Sequence, residues 1–323
     1  MTAKTAGMLT LAAVVAATGS AAFAQGYPSK PVKVIVPITA GSGVDIVARA
    51  VSLRLQDQLG QPFVVENRAG AGTTTGIAAV ASAPPDGYTI LFSSVALTIT
   101  PVTMLKLPYD VGRDLAGIMP LVSTPLIIVT PPGRYKSLAD FVAKAKAADG
   151  GLNYATIGYG AAAHFTSERL ALAAGFKAQM VPFRGTAEAM TEVLAGRMEF
   201  YFTPATAAQG LIGDRKLDAL ATTSRKRIPD LPDVPTTLEA GYKDSDFDFW
   251  VGMMVPRQTP PAIIAALHAS TAKVTGTAEF RASMARTGGE VMAPMTPAQF
   301  DVFLLNEIER NRAIANAAGI VAK

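Results

Sequence analysis

The chain has 323 residues, half of them hydrophobic, enough to bury a sizeable core. It carries 29 Lys+Arg against 25 Asp+Glu, and that small excess is spread along the chain, unlike the concentrated basic stripe that nucleic-acid binding requires. It has no cysteine, which excludes disulfides, thiol catalysis, Cys-ligated zinc and iron–sulfur clusters.

The N-terminus has the features of an export signal. Lys4 gives a positive start, Gly7–Ala17 is a short apolar core, and Ala22-Phe23-Ala24 places small residues where a signal peptidase reads, so residues 1–24 are expected to be removed after Ala24. The apolar core is too short to span a membrane comfortably and no stop-transfer charges follow. The expected product is a periplasmic chain long enough for two ordinary domains.

Strand and helix patterns then alternate. Lys33–Val36 is a β-branched strand, followed by a Gly-containing loop and a helix opening near Asp45, where Val47, Val51, Leu55 and Leu59 form an apolar stripe flanked by Ile46, Ala50 and Leu53 and ending at Gly60. Phe63–Val65 is a strand, Ile77–Ala83 helical, Pro84-Pro85-Asp86-Gly87 a turn and Tyr88–Phe92 a buried strand. A second cycle starts at Leu126–Val129. Ser137 and Asp140 have capping-box spacing before a helix to about Ala148. Strands at Leu152–Thr156, Gln179–Val181 and Phe200–Phe202 alternate with helices near His164–Ala174 and Thr186–Ala195. Arg225-Lys226-Arg227 reads as a solvated loop and 227–235 as irregular. Phe249–Val255 is strand-like, and helices follow. The alternation predicts an α/β chain of two βαβ-rich domains. We place one at 25–125 plus 256–323 and the other at 126–248, with Leu126–Thr130 and Phe249–Val255 crossing between them as a hinge.

Several blocks resemble one family. Tyr27-Pro28-Ser29-Lys30-Pro31, Val34–Pro37 and Ala40-Gly41-Ser42-Gly43-Val44-Asp45 open the match. Val64-Val65-Glu66-Asn67-Arg68-Ala69-Gly70, Ala83–Thr89, Leu107-Pro108-Tyr109-Asp110, Val181-Pro182-Phe183-Arg184-Gly185, Leu231–Thr236 and Glu239-Ala240-Gly241 continue it. The chain resembles the substrate-binding proteins of tripartite tricarboxylate transporters, the Bug or TctC family. The resemblance implies a type II periplasmic-binding-protein fold with mixed sheets around a ligand cleft. It also implies capture of a small di-, tri- or aromatic carboxylate for a membrane permease, without catalysis, by a protein expected to be a monomer. In the family the first loop and a facing loop clasp the carboxylate, which carries over to Thr39, Ala40, Gly41 and Ser42. Here Ala40-Gly41-Ser42 replaces the usual Pro-Gly-Gly.

The residues themselves support that role. Gly41 and Gly43 permit a tight turn, and helix-start amides bind a carboxylate without Arg or Lys. Thr39 and Ser42 add hydroxyls. Asp45 either caps the helix or reaches the ligand. Thr73 and Thr74, after Gly70-Ala71-Gly72, either cap a helix or bind the distal end of a ligand. Ser93 and Ser94 end a strand at the edge where open α/β sheets bind ligands.

The facing loop is Gly158-Tyr159-Gly160-Ala161-Ala162-Ala163-His164. It meets a dinucleotide fingerprint, but Arg184 stands where the acid for a ribose belongs, so no nucleotide cofactor is expected. His164 lies four before Glu168, but the other histidine, His268, falls in a different helix, so no metal site is expected. Arg184 and Gly185 precede another helix start, and Arg184 is the best single partner for a second carboxylate, or else a surface residue. Glu199–Thr203 is bulkier than the family's pattern, so Tyr201, Phe202 and Thr203 either shape the pocket or belong to the core. Two rivals stand beside the transport reading. One is a sensor subunit presenting its ligand to a signalling receptor. The other is a hydrolase or isomerase built on His164 and Asp45, for which no acid–base pair or nucleophile elbow can be assembled.

Overall fold

A computed structural model of the chain describes residues 26–286 and 288–322. The expected signal segment lies outside the described residues. Among the described residues, no helix is long and apolar enough to cross a membrane.

The first sheet begins with β1 (Val32–Val36), paired in parallel with β2 (Phe63–Asn67) and β3 (Thr89–Ser94). Between β1 and β2 runs α1 (Gly43–Leu59), which stops at the left-handed Gly60. Its Val47, Val51 and Leu55 are buried as the apolar spacing predicts, whereas Ile46 and Leu53 face solvent. After β2 come a 3-10 turn (Ala71–Thr73) and α2 (Thr74–Ala81), and after β3 comes α3 (Ala96–Thr103). The short α4 (Val111–Asp114) leads into β4 (Leu115–Thr130).

β4 is much longer than the strand expected at Leu126–Val129. Leu115–Pro125 pairs with β9 (Asp248–Pro256) in the first sheet, and Leu126–Thr130 pairs with β7 (Phe200–Pro204) and β8 (Asp218–Thr222) in the second. Pro120 argues locally against a strand in this stretch. It is accommodated because the register with β9 shifts between Gly117 and Met119 and again between Pro120 and Val122, the kind of irregularity where proline's missing N–H costs no ladder bond. β9 lies between β3 and β4, so Phe249–Val255 is paired within the first sheet. The chain returns from the second sheet through residues 223–247, where Thr223 N–H donates to Leu126 O and Phe247 N–H to Thr223 O.

The second sheet is built on the plan of the first. β5 (Leu152–Thr156) pairs in parallel with β6 (Ala178–Pro182) and β7, as β1 does with β2 and β3. Its helices are α5 (Leu138–Ala147), α6 (Ala162–Ala174), α7 (Thr186–Leu194) and α8 (Ala205–Gly213). Ser137 caps α5 as its spacing predicts, taking Asp140 N–H at 3.1 Å. The C-terminal α9 (Pro261–Gly276), α10 (Ala278–Ala285), strand β10 (Glu290–Val291) and α11 (Pro297–Ala317) pack back on the first sheet. Val34, Val51, Phe92, Val251, Leu267 and Phe280 share one core. A second runs from Phe141, Tyr154 and Phe200 to Trp250 and Phe300 under α11.

Candidate functional site

Two turns with the same geometry lie at the ends of β1 and β5. In the first, Gly41 has φ +80° and Ser42 φ −69°, ψ 160°; in the second, Gly160 has φ +75° and Ala161 φ −68°, ψ 159°. A left-handed residue is needed at the first position of each, and glycine supplies it without a Cβ penalty. Ser42 N–H donates to Thr39 O and Ala161 N–H to Gly158 O, each at 3.3 Å. The glycine amide of each turn goes to the side chain four residues on: Gly41 to Asp45 Oδ2 at 2.9 Å, Gly160 to His164 Nδ1 at 3.1 Å.

These bonds decide which amides are available. Gly41 N–H is taken by Asp45, and Asp45 N–H by Ser42 Oγ at 3.3 Å. In α1 the amides of Gly43 and Val44 have no partner among the described residues. In α6, where Ala161 offers no capping side chain, those of Ala162, Ala163 and His164 have none. Gly43 and Val44 lie one and two residues beyond Thr39–Ser42, whereas Ala162, Ala163 and His164 fall within the expected facing loop Gly158–His164, and both helices are long enough to present a positive N-terminal end. Thr39, Ala40, Gly41 and Gly43 are exposed, and Gly158 to Ala162 half-buried.

Asp45 is buried and saturated. Besides Gly41, its Oδ2 accepts Arg49 Nε at 2.9 Å, and its Oδ1 accepts Asn67 Nδ2 at 2.9 Å. Burial works against its charge, but the bonds from Arg49, Gly41 and Asn67 outweigh it and hold the carboxyl below its ordinary range. The residue fixes the loop: Asn67 also reaches Ile38 O at 3.0 Å, which ties the end of β2 to the turn.

His164 is buried between Tyr154 and Tyr159. Burial pulls its imidazole down to about 4, and because Nδ1 accepts from Gly160, the ring proton sits on Nε2. A ring held neutral in this way is a poor general base. Glu168 is occupied by Tyr154, whose hydroxyl donates to Oε1 at 2.7 Å. Among the described residues, no group of three or more His, Cys, Asp or Glu could hold a metal ion.

The remaining candidates scatter. Thr73 takes a left-handed φ of +83° and does not cap α2, and its buried Oγ1 has no partner. Thr74 Oγ1 donates to Met104 Sδ at 3.4 Å. Ser93 is fully buried in β3 and its Oγ lacks a partner, while Ser94 Oγ takes Ala96 N–H at 3.5 Å. Arg184 is exposed and its amide donates to Glu188 Oε2 at 2.9 Å beside Gly185, the N-cap of α7. Thr203 is fully buried opposite Ile127, and Tyr201 and Phe202 are core residues.

No hydrogen bond joins the two turns among the described residues. The facing turn instead meets the first sheet at α3 and the C-terminus. A Cβ on Gly160 would lie 3.3 Å from Thr103 Oγ1, and Tyr159 Oη donates to Val321 O at 2.7 Å. Thr103 and Met104 therefore bring the Gly70–Thr74 segment near the facing turn. The sequence carries no signal for them: Pro101 interrupts the short α3, and its threonines Thr98, Thr100 and Thr103 lie among apolar residues without a polar face.

The family described as tripartite tricarboxylate transporter family receptor, TctC, matches residues 47–320. The chain belongs to this family. Protein BugT of Bordetella pertussis is 35% identical over 305 residues, covering 93% of each chain. The periplasmic binding protein BugD superposes with a TM-score of 0.74 at 31% identity, over 92% of this chain and 100% of that one. MatC from Rhodopseudomonas palustris, with bound malate, gives 0.73 at 27% identity over 89% and 99%. Another R. palustris protein, with adipate, gives 0.78 at 27% over 92% and 100%. The type II periplasmic-binding-protein fold expected from sequence is thus the fold of this chain. The TctC family consists of periplasmic solute-binding receptors, not enzymes, which removes the hydrolase or isomerase reading.

Proposed function

We propose that this receptor captures a small carboxylate between the starts of α1 and α6 and delivers it to the permease of a tripartite tricarboxylate transporter. The observation that carries the reading is the pair of matching turns, each leaving first-turn amides without a partner at the positive end of a helix. Neither turn carries Arg or Lys, so recognition rests on neutral donors, with Asp45 and His164 holding the two glycines in place. That malate and adipate occupy two structural neighbours supports an aliphatic dicarboxylate in particular.

In this reading the chain works as a monomer of two domains, the second inserted into the first. Residues 1–24 are removed on export to the periplasm. Closure turns on β4 near Pro125–Leu126 and on the return segment 223–247, and it carries Gly158–His164 towards Thr39–Val44. The distal end of the ligand falls to Thr73, Thr74 and Arg184. Calorimetric titration of the mature protein with mono-, di- and tricarboxylates tests this. Saturable heat with a dicarboxylate is expected, and no heat from any of them overturns it.

A further inference from the structure

A charge cluster, buried at Arg169 and Asp246, half-buried at Asp248, Glu307 and Arg310 and open to solvent at Arg225, lies where α6, the return segment and α11 meet, and neither turn uses it. Arg169 of α6 is 3% exposed, yet its Nε and Nη2 have no hydrogen-bond partner. Its guanidinium carbon sits 5.4 Å from the centre of the Phe247 ring. Asp246, just before Phe247, accepts Arg225 Nη2 at 3.0 Å and Arg310 Nη2 at 2.9 Å, and Arg310 Nη1 also reaches Glu307 Oε1 at 3.4 Å. Asp248, on the other side of Phe247, has no side-chain hydrogen bond among the described residues. Three arginines thus face three acids, but the bonds are unequally shared: Asp246 holds two, while Arg169 and Asp248 hold none. A buried ion without a partner is costly, so this arrangement is poised to change.

We propose that Asp248 and Arg169, with the Asp246–Arg225–Arg310–Glu307 network, form a proton-controlled joint that sets how tightly α6 packs against α11. The inference rests on the reading that the two domains move about β4 and the return segment. α6 carries the facing turn at its N-terminus, so a shift of α6 against α11 moves Gly158–His164 with it.

The sign follows from linkage. Burial first, and Asp246 next, raise the Asp248 carboxyl to about 6; Arg225 and Arg169 partly oppose this, and Glu307 adds to it. A solvated aspartate titrates near pH 3.9. An arrangement that exposes Asp248 therefore holds fewer protons between about pH 4 and pH 6, and acid favours the packing seen here. Above pH 6 the carboxylate is ionised, and that preference is gone.

The absence of cysteine gives a direct test. Leu172→Cys on α6 and Val302→Cys on α11 are exposed positions at which paired spin labels report the separation of the two helices without any ligand. A short, narrow distance distribution is expected at about pH 5, and a longer or broader one at about pH 7.5, with the midpoint near 6. Asp248→Asn, a permanently neutral mimic, is expected to keep the acid distribution at both pH values. Arg169→Met, which removes a cation that stabilises the ionised form, is expected to move the midpoint upward. A wild-type distribution that does not change with pH, or an Asp248→Asn variant that titrates like wild type, overturns the joint. Should Asp248→Asn not fold, an unshifted midpoint in Arg169→Met overturns it. Because no carboxylate is present, failure of the ligand reading leaves this measurement intact.

Discussion

Asp45 and His164 hold the same place in two copies of one turn: each accepts the amide proton of a left-handed glycine four residues earlier. The chemistry differs, because one acceptor is an anion held by Arg49 and Asn67 and the other a neutral ring packed between tyrosines. The two turns should therefore respond differently to substitution and to pH.

Replacing Asp45 removes an acceptor that binds three donors. Asp45→Asn keeps the shape but turns one of the two accepting oxygens into an NH2 donor, set either against Asn67 or against Gly41 and Arg49, and removes the charge that pairs with Arg49. A loss of about 2 kcal/mol in urea unfolding is expected, on the scale of hydrogen bonds to charged groups, with weaker ligand binding in calorimetry. A variant as stable as wild type would show that the clamp is dispensable.

His164 should make the protein acid-sensitive. Its folded value of about 4 lies below the roughly 6.5 of an unfolded histidine, so the unfolded chain binds the extra proton. Its contribution to stability is complete above about pH 6.5 and falls as pH drops towards 4. NMR can follow this directly, since His164 and His268 are the only histidines. A His164 resonance that titrates near 6.5 would contradict the buried, Nε2-protonated ring.

Glycine substitutions separate conformation from crowding. Gly160→Ala meets both a φ of +75° and Thr103 Oγ1 at 3.3 Å, and about 1–2 kcal/mol of destabilisation is expected. Gly43→Ala, at a helical position with no atom within 4 Å, should be neutral or slightly stabilising. Thermal melts of the two variants decide this, and equal melting temperatures would refute the assignment of strain to the facing turn.

The turns were legible in sequence because glycine spacing before a helix is a local signal, and so was the apolar stripe at Val47, Val51 and Leu55. The placement of donors was not. That Gly41 spends its amide on Asp45, leaving Gly43 and Val44 available, depends on Asn67 arriving from β2. Leu115–Pro125 escaped detection because proline argues locally against a strand, while the register shifts that admit it arise only in pairing with β9. The structural repeat of the two sheets is likewise silent in sequence, since the same turn uses serine and aspartate once, alanine and histidine the other time.

The position of β9 has a consequence for synthesis. A strand from the last quarter of the chain fills the gap between β3 and β4, both made long before it. As the chain emerges N-terminus first, the second sheet has all its strands once residue 222 is out, while the first still lacks the strand between β3 and β4. The half that begins earliest is the last to be finished, and a nascent chain cut short before Asp248 has no route to a complete binding cleft.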